Sequence, residues 1–367
     1  MKFWSLLATA LLLATLGCGN SGPASSSTSS RSYSGTASVG DFLSITLDPV
    51  AQTLTYSNYS NGDSGTVPYS VNSDGSYTLN DPTGNLQSAY EVPGYGLLVA
   101  AAKTGPSHNT PALITAVEKT TVSLSMWAGQ QFNYMQFRTA AGGLEVGSVT
   151  LDAQGNVSVS NYWPYGALGL GQPANSFGTS YFDSSSFQVD SSNSFLKFPD
   201  QGGQGSGYDY VFGTNAGVFA VDTLSGAILS FKKADSKSFD ASYAGTYKAV
   251  YYQKTNASTG QGNVETGTPS LAHATVVVGS AGQLTATDTQ GNVLLQASLV
   301  PVADQADLYD GTQNKLHNPC WGLFTVRPRV NPSQDIFATF VNGAMLFASF
   351  TAQNGGTYEY FYGVGLK

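Results

Sequence analysis

The stretch SDGSYTLNDPTGNL, Ser73 to Leu86, decides how the chain folds, because it recurs without a gap as SAGQLTATDTQGNV, Ser280 to Val293. Ser, Gly, Thr, Asp, Gly and Asn fall at matching places in the two copies, and Asp152-Ala153-Gln154-Gly155-Asn156-Val157 repeats the core of the motif. An Asp opening such a run caps a type I turn through its own carboxylate. The Gly then takes the positive-φ position that closes a hairpin. Runs such as Phe42-Leu43-Ser44-Ile45-Thr46-Leu47 and Thr53-Leu54-Thr55-Tyr56 alternate apolar and polar, as half-buried antiparallel strands do. The repeated motif therefore reads as a structural hairpin, not a catalytic loop.

A second motif follows each hairpin in the same order. Gly96-Leu97-Leu98-Val99-Ala100, Gly217-Val218-Phe219-Ala220-Val221 and Gly343-Ala344-Met345-Leu346-Phe347 each set a Gly before an apolar strand. The paired order predicts an all-β protein of tandem antiparallel β-meander modules, small barrels or sandwiches, over residues 41–122, 123–240 and 241–367. A competing parse counts the turn glycines Gly84, Gly155, Gly226, Gly291 and Gly355, whose near-even spacing fits a β-propeller of five to seven blades.

Composition agrees with β structure. Only 10% of the 367 residues are charged, against a usual share of about 25%. The polar surface must therefore come from Ser, Thr, Asn and Gln, which disfavours helical bundles. The net charge is −8, and the densest basic stretch is Lys232, Lys233 and Lys237. No nucleic-acid partner is expected, since phosphate binding needs clustered cations.

At the N-terminus, Met1-Lys2 precedes an apolar run from Phe3 to Leu16, too short for a permanent membrane span and typical of a signal peptide over residues 1–17. Thr15-Leu16-Gly17-Cys18 resembles the lipobox of bacterial lipoproteins. Gly17 and Cys18 match the small residue and the modified Cys, while Thr15 and Leu16 depart from the usual Leu and small residue. The resemblance implies that Cys18 carries diacylglycerol and becomes the mature N-terminus, anchoring the chain to a membrane. Gly19 and Asn20, with no Asp beside the Cys, fit outer-membrane retention. Residues 18–40, dominated by Ser, Gly, Thr and Ala, read as the lipidated Cys and a flexible tether. Cleavage by an ordinary signal peptidase after Gly19, giving a secreted protein, is the alternative.

Little chemistry stands out in the body. His108, His273 and His317 are scattered, without the spacing zinc requires, and nothing calls for a metal or cofactor. His317 lies close to Cys320, but a lone Cys beside Trp321 reads as a small buried hydrophobe. Asp304, Asp307 and Asp310 read as solvated turn residues. Among five glutamates, Glu145 in GGLEVG and Glu265 in GNVETG flank Gly-rich turns and are the weak candidates for a carboxylate-dependent hydrolase. Aromatics are the better place to look. Tyr162-Trp163-Pro164-Tyr165, with Trp127 and Tyr134 nearby in sequence, could stack on sugar rings or anchor a protein. The Gly- and Ser-rich stretch 167–207 reads as the longest loop. The expectation is a lipid-anchored envelope protein, non-catalytic, binding a glycan or a protein. A secreted hydrolase and a purely structural envelope protein are the alternatives.

Overall fold

The structure, a computed structural model, describes residues 29–104, 109–137, 144–164, 172–173, 187–190, 192, 194–199, 207–257, 268–302, 321–328, 334–351 and 358–367. Cys18, His108, Tyr165, Glu265, His317, Cys320 and the three aspartates at 304, 307 and 310 lie outside the described residues. Regular structure among the described residues is β-strand, apart from two single-turn 3-10 helices at Leu124–Met126 and Ala241–Tyr243. No helix there is long and apolar enough to cross a membrane.

The first sheet comprises β1 (Arg31–Ala37), β2 (Asp41–Asp48), β3 (Thr53–Asn58), β4 (Ser64–Val71), β5 (Tyr77–Leu79), β6 (Leu86–Val92), β7 (Gly96–Ala101) and β8 (Ala112–Glu118). Each strand pairs antiparallel with the next, and β8 returns to β1 to close a barrel. The last sheet repeats this plan with β18 (Gly245–Ala257), β19 (Thr268–Val278), β20 (Gln283–Thr287), β21 (Val293–Pro301), β22 (Leu323–Arg327), β23 (Gln334–Val341), β24 (Ala344–Thr351) and β25 (Tyr358–Leu366), closed by β18 on β25.

Between them lies a nine-stranded sheet of β9 (Gln131–Phe137), β10 (Leu144–Leu151), β11 (Val157–Pro164), β12 (Gln172–Pro173), β13 (Gln188–Val189), β14 (Leu196–Pro199), β15 (Tyr208–Thr214), β16 (Val218–Thr223) and β17 (Gly226–Lys232). Its first strand pairs with its last, β9 with β17, as in a barrel. Among the described residues no ladder joins β12 to β13, so the described strands form a sheet that does not close as its flanking relatives do. The architecture is thus tandem antiparallel meanders, as the paired motifs require. The propeller alternative is corrected: Gly84, Gly155, Gly226 and Gly291 mark hairpins of up-and-down sheets, not blades, and Gly355 lies outside the described residues.

The repeated turns form as their residues dictate. Asp81, Asp152 and Asp288 each accept backbone N–H groups two and four residues on, at 2.8–3.0 Å. Gly84, Gly155 and Gly291 take φ of +68°, +86° and +85°. Burial then follows position. In β3 and β4 exposed and buried residues alternate, because only the inner face meets the core, whereas all of β7, GLLVAA, is buried. Leu97 and Val99 fill the first barrel, while Leu98 and Ala100 join a core shared with the other two sheets.

That shared core unites Phe42 of the first barrel, Phe137 and Tyr210 of the middle sheet, and Tyr252 and Tyr362 of the last barrel. Phe42 stacks on Tyr210 at 4.6 Å, and Tyr362 stacks on Phe137 at 4.5 Å and on Tyr252 at 5.0 Å.

One expectation is overturned by β1. Residues up to Gly40 read as tether, yet Arg31–Ala37 is a barrel strand, buried from Tyr33 onward. Its small residues serve close approach, not flexibility: a Cβ on Gly35 would sit 2.7 Å from the Cβ of Ala116. Likewise the expected loop 167–207 contains β12, β13 and β14.

Candidate binding site in the open middle sheet

The inner face of the middle sheet carries its own core, including Trp127, Phe132, Leu196, Phe198 and Phe219. Two residues singled out from the sequence belong to it. Trp127 is 1% exposed and meets Phe219 edge-to-face at 5.2 Å, and Tyr134 is 3% exposed. Neither is an exposed stacking platform. Large rings are what an open, strongly curved sheet needs to fill its concave side.

Strand register sets the remaining aromatics. Tyr134, Gly147 and Tyr162 are cross-strand partners in one row, and Met135, Val146 and Trp163 form the next. Neighbouring rows of a strand point to opposite faces. Tyr162 and Trp163 thus fall in register with Tyr134 and Met135 respectively across β10.

Glu145 lies near the start of β10, two residues before Gly147 and on the same face. The Tyr134 hydroxyl donates to its Oε1. Directly opposite Glu145 across the ladder is Gln136, which sequence reasoning missed. Gln136 is 3% exposed, and its buried Nε2 donates to no partner among the described residues. A buried amide N–H left unpaired costs about 1–3 kcal/mol, a cost that structures carry where a ligand or water supplies the acceptor. Glutamine inside an otherwise apolar strand, Phe132-Asn133-Tyr134-Met135-Gln136-Phe137, was the available signal. The arrangement presents a carboxylate, a phenol and an amide together at the end of an open sheet. Such a set can hydrogen-bond hydroxyl and amide groups.

A serine and histidine also meet, unforeseen from sequence. Ser88 Oγ lies 3.0 Å from His273 Nε2, joining the first barrel to the last. Burial pushes His273 below its usual range, which favours the neutral ring, and its hydrogen bond with Ser88 links the two barrels. Asp74 is near His273, but its Oδ1 accepts from the backbone and hydroxyl of Ser76.

Fold and site together define an all-β protein of tandem antiparallel barrels with a polar cluster in the open one. No known protein family matches the chain, and no curated protein does. Similar solved structures include two crystal structures of the vaccine antigen Transferrin Binding Protein B (TbpB) from Haemophilus parasuis Hp5. One, a tryptophan-to-alanine mutant, is 10% identical with a TM-score of 0.27, covering 89% of this chain and 66% of that one. The other, a double tyrosine and tryptophan mutant, is 7% identical with a TM-score of 0.23, covering 92% and 76%. This chain thus spans just under two thirds of the first. At these values the similarity assigns no function, and the reading below rests on the site.

Proposed function

We propose that the chain is a lipid-anchored protein of the bacterial cell envelope whose middle sheet binds a glycan without catalysis. The observation that carries the binding role is the polar set Tyr134, Gln136 and Glu145 in the middle sheet, with the buried Gln136 amide donating to no partner among the described residues. Sugar hydroxyls donate to a carboxylate and accept from an amide N–H, so a glycan can give the Gln136 amide its acceptor while donating beside Glu145. A protein partner is the second reading. Among the described residues β12 and β13 each pair on one side only, and an extended segment of a partner can add to such an edge.

The envelope location rests on the lipobox-like Cys18 and the Ser-rich run between it and β1. Two or three acyl chains anchor a body that one chain holds only marginally. Cys18→Ser is expected to abolish incorporation of a labelled fatty acid and to move the protein from the outer-membrane to the soluble fraction. Unchanged fractionation refutes the anchor.

Binding is tested with the full chain carrying Cys18→Ser on a glycan array, beside a pull-down from envelope extract. Wild-type side chains should retain a glycan, and Gln136→Leu should weaken it about tenfold, the loss of one well-formed hydrogen bond. A protein captured in the absence of any glycan favours the second reading, and no ligand in either assay leaves a structural envelope role. If the chain were a hydrolase, Glu145→Gln would abolish turnover of the bound glycan.

A further inference from the structure

Where the first barrel meets the middle sheet, a cluster of rings reaches from the core to the surface. Phe42 is fully buried, stacks on Tyr210 of β15 at 4.6 Å and meets Phe195 edge-to-face at 4.8 Å. Tyr59, in the turn after β3, covers this cluster from outside. Its ring lies 5.2 Å from Phe195, 5.7 Å from Phe42 and 6.4 Å from Tyr210, and its backbone N–H donates to the Phe42 carbonyl at 2.8 Å. Despite that seating, Tyr59 is 47% exposed. Tyr208 stands two residues before Tyr210 on β15, so the two share a face. It is 37% exposed, with Lys197 Nζ 4.9 Å from its ring centre.

A single exposed ring needs no explanation. Here two exposed rings flank one buried ring, Tyr210, and are fixed before any ligand arrives, which lowers the ordering cost of binding. Charges of both signs border them. Burial, and after it the Asp190 carboxylate, push the Tyr59 phenol up, and the same carboxylate opposes the lowering that burial imposes on Lys119. Carboxylate and ammonium groups beside rings suit a neutral polyhydroxyl ligand, whose hydroxyls donate to one and accept from the other. They suit a protein less, because the core of a protein interface is depleted in charge.

We propose that this seam is a surface site for a linear, neutral oligosaccharide of equatorially linked pyranoses, with one sugar stacked on Tyr59 and another on Tyr208. Equatorial links leave flat C–H faces along the chain, the surfaces that lie against aromatic rings. Asp190 and Lys119 take hydroxyls of the first sugar, and Lys197 takes a hydroxyl of the second. The seam uses no residue of the Glu145 and Gln136 cluster, so the two readings stand or fall separately.

Isothermal titration of the full chain carrying Cys18→Ser with cellobiose, cellohexaose and maltohexaose tests it. Cellohexaose is expected to bind at least about tenfold more tightly than cellobiose, because only the longer chain reaches both rings. Maltohexaose, whose axial links curl the chain, should bind more weakly than cellohexaose. Tyr59→Ala and Tyr208→Ala should each weaken cellohexaose about tenfold. Tyr59→Phe should bind as the parent does, since it keeps the stacking face, and Gln136→Leu should leave cellohexaose binding unchanged. Thermal unfolding of each variant shows that the fold persists; if Tyr59→Ala does not fold, Tyr208→Ala decides. No binding of cellohexaose, binding indifferent to the alanine variants, or binding lost through Gln136→Leu overturns the proposal. So does an envelope protein whose capture depends on Tyr59 and Tyr208 in place of the sugar.

Discussion

Asp222 lies at the end of β16, 1% exposed, and the Thr36 hydroxyl of the first barrel donates to it. Burial pushes its carboxyl well above the ordinary value of 3.8, and the facing carboxylates Asp41 and Asp209 push the same way against Thr36. The folded protein therefore holds this proton where the unfolded chain has lost it. The contribution favouring folding is full below about 3.8 and is lost as pH rises through the folded value. Asp222→Asn should raise stability to urea at pH 7 by about 1 kcal/mol or more and flatten the dependence between pH 4 and 7. An unchanged profile would show that the carboxyl titrates normally. At Glu91 four donors converge, two of them from the Arg31 guanidinium, whose pKa the hydrogen bond to Glu91 raises. Burial and the neighbouring Glu91 push the Tyr33 and Tyr77 phenols up, so both remain donors. Glu91→Ala strands Arg31 and should cost about 3–5 kcal/mol in urea unfolding. A loss under 1 kcal/mol would mean that water replaces the carboxylate.

At the scale of elements, the hairpins are the most legible part of the chain. Asp81 caps, Gly84 turns at φ +68°, and a Cβ on Gly84 would meet nothing within 4 Å. Gly84→Ala thus isolates backbone strain and should cost about 1–2 kcal/mol, with Gly84→Asn costing less because Asn tolerates the left-handed region. Equal losses would place the cost elsewhere. The strand β1 was illegible because composition alone cannot separate a flexible Ser-Gly run from one that is small so that Gly35 can lie against Ala116. The candidate site was half legible. Glu145 was visible beside its Gly-rich turn, but Gln136 acquires meaning only from its register opposite Glu145. Trp127 and Tyr134 were visible as aromatics, but not as core, because exposure depends on curvature that no local spacing encodes. The Ser88 contact with His273 joins residues 185 apart in sequence, a distance no motif spans.

The whole molecule turns on one relation: an open sheet is held between two closed barrels by a core to which all three contribute. Both faces of the middle sheet carry core residues, Trp127 and Phe219 on the inner one and Phe137, Tyr210 and Phe212 on the outer one against the barrels. Close backbone contacts lock the arrangement. Gly40 lies where a Cβ would be 2.5 Å from the Thr223 carbonyl, and Asn133 Nδ2 donates to the Trp321 carbonyl at 2.8 Å. If this support keeps the polar set of Glu145 and Gln136 in place without a closing ladder, no sheet can melt alone. Scanning calorimetry of the full chain carrying Cys18→Ser tests this directly. A single transition whose calorimetric and van't Hoff enthalpies agree is expected, and two or three separable transitions would contradict a middle sheet supported by a core shared with both barrels.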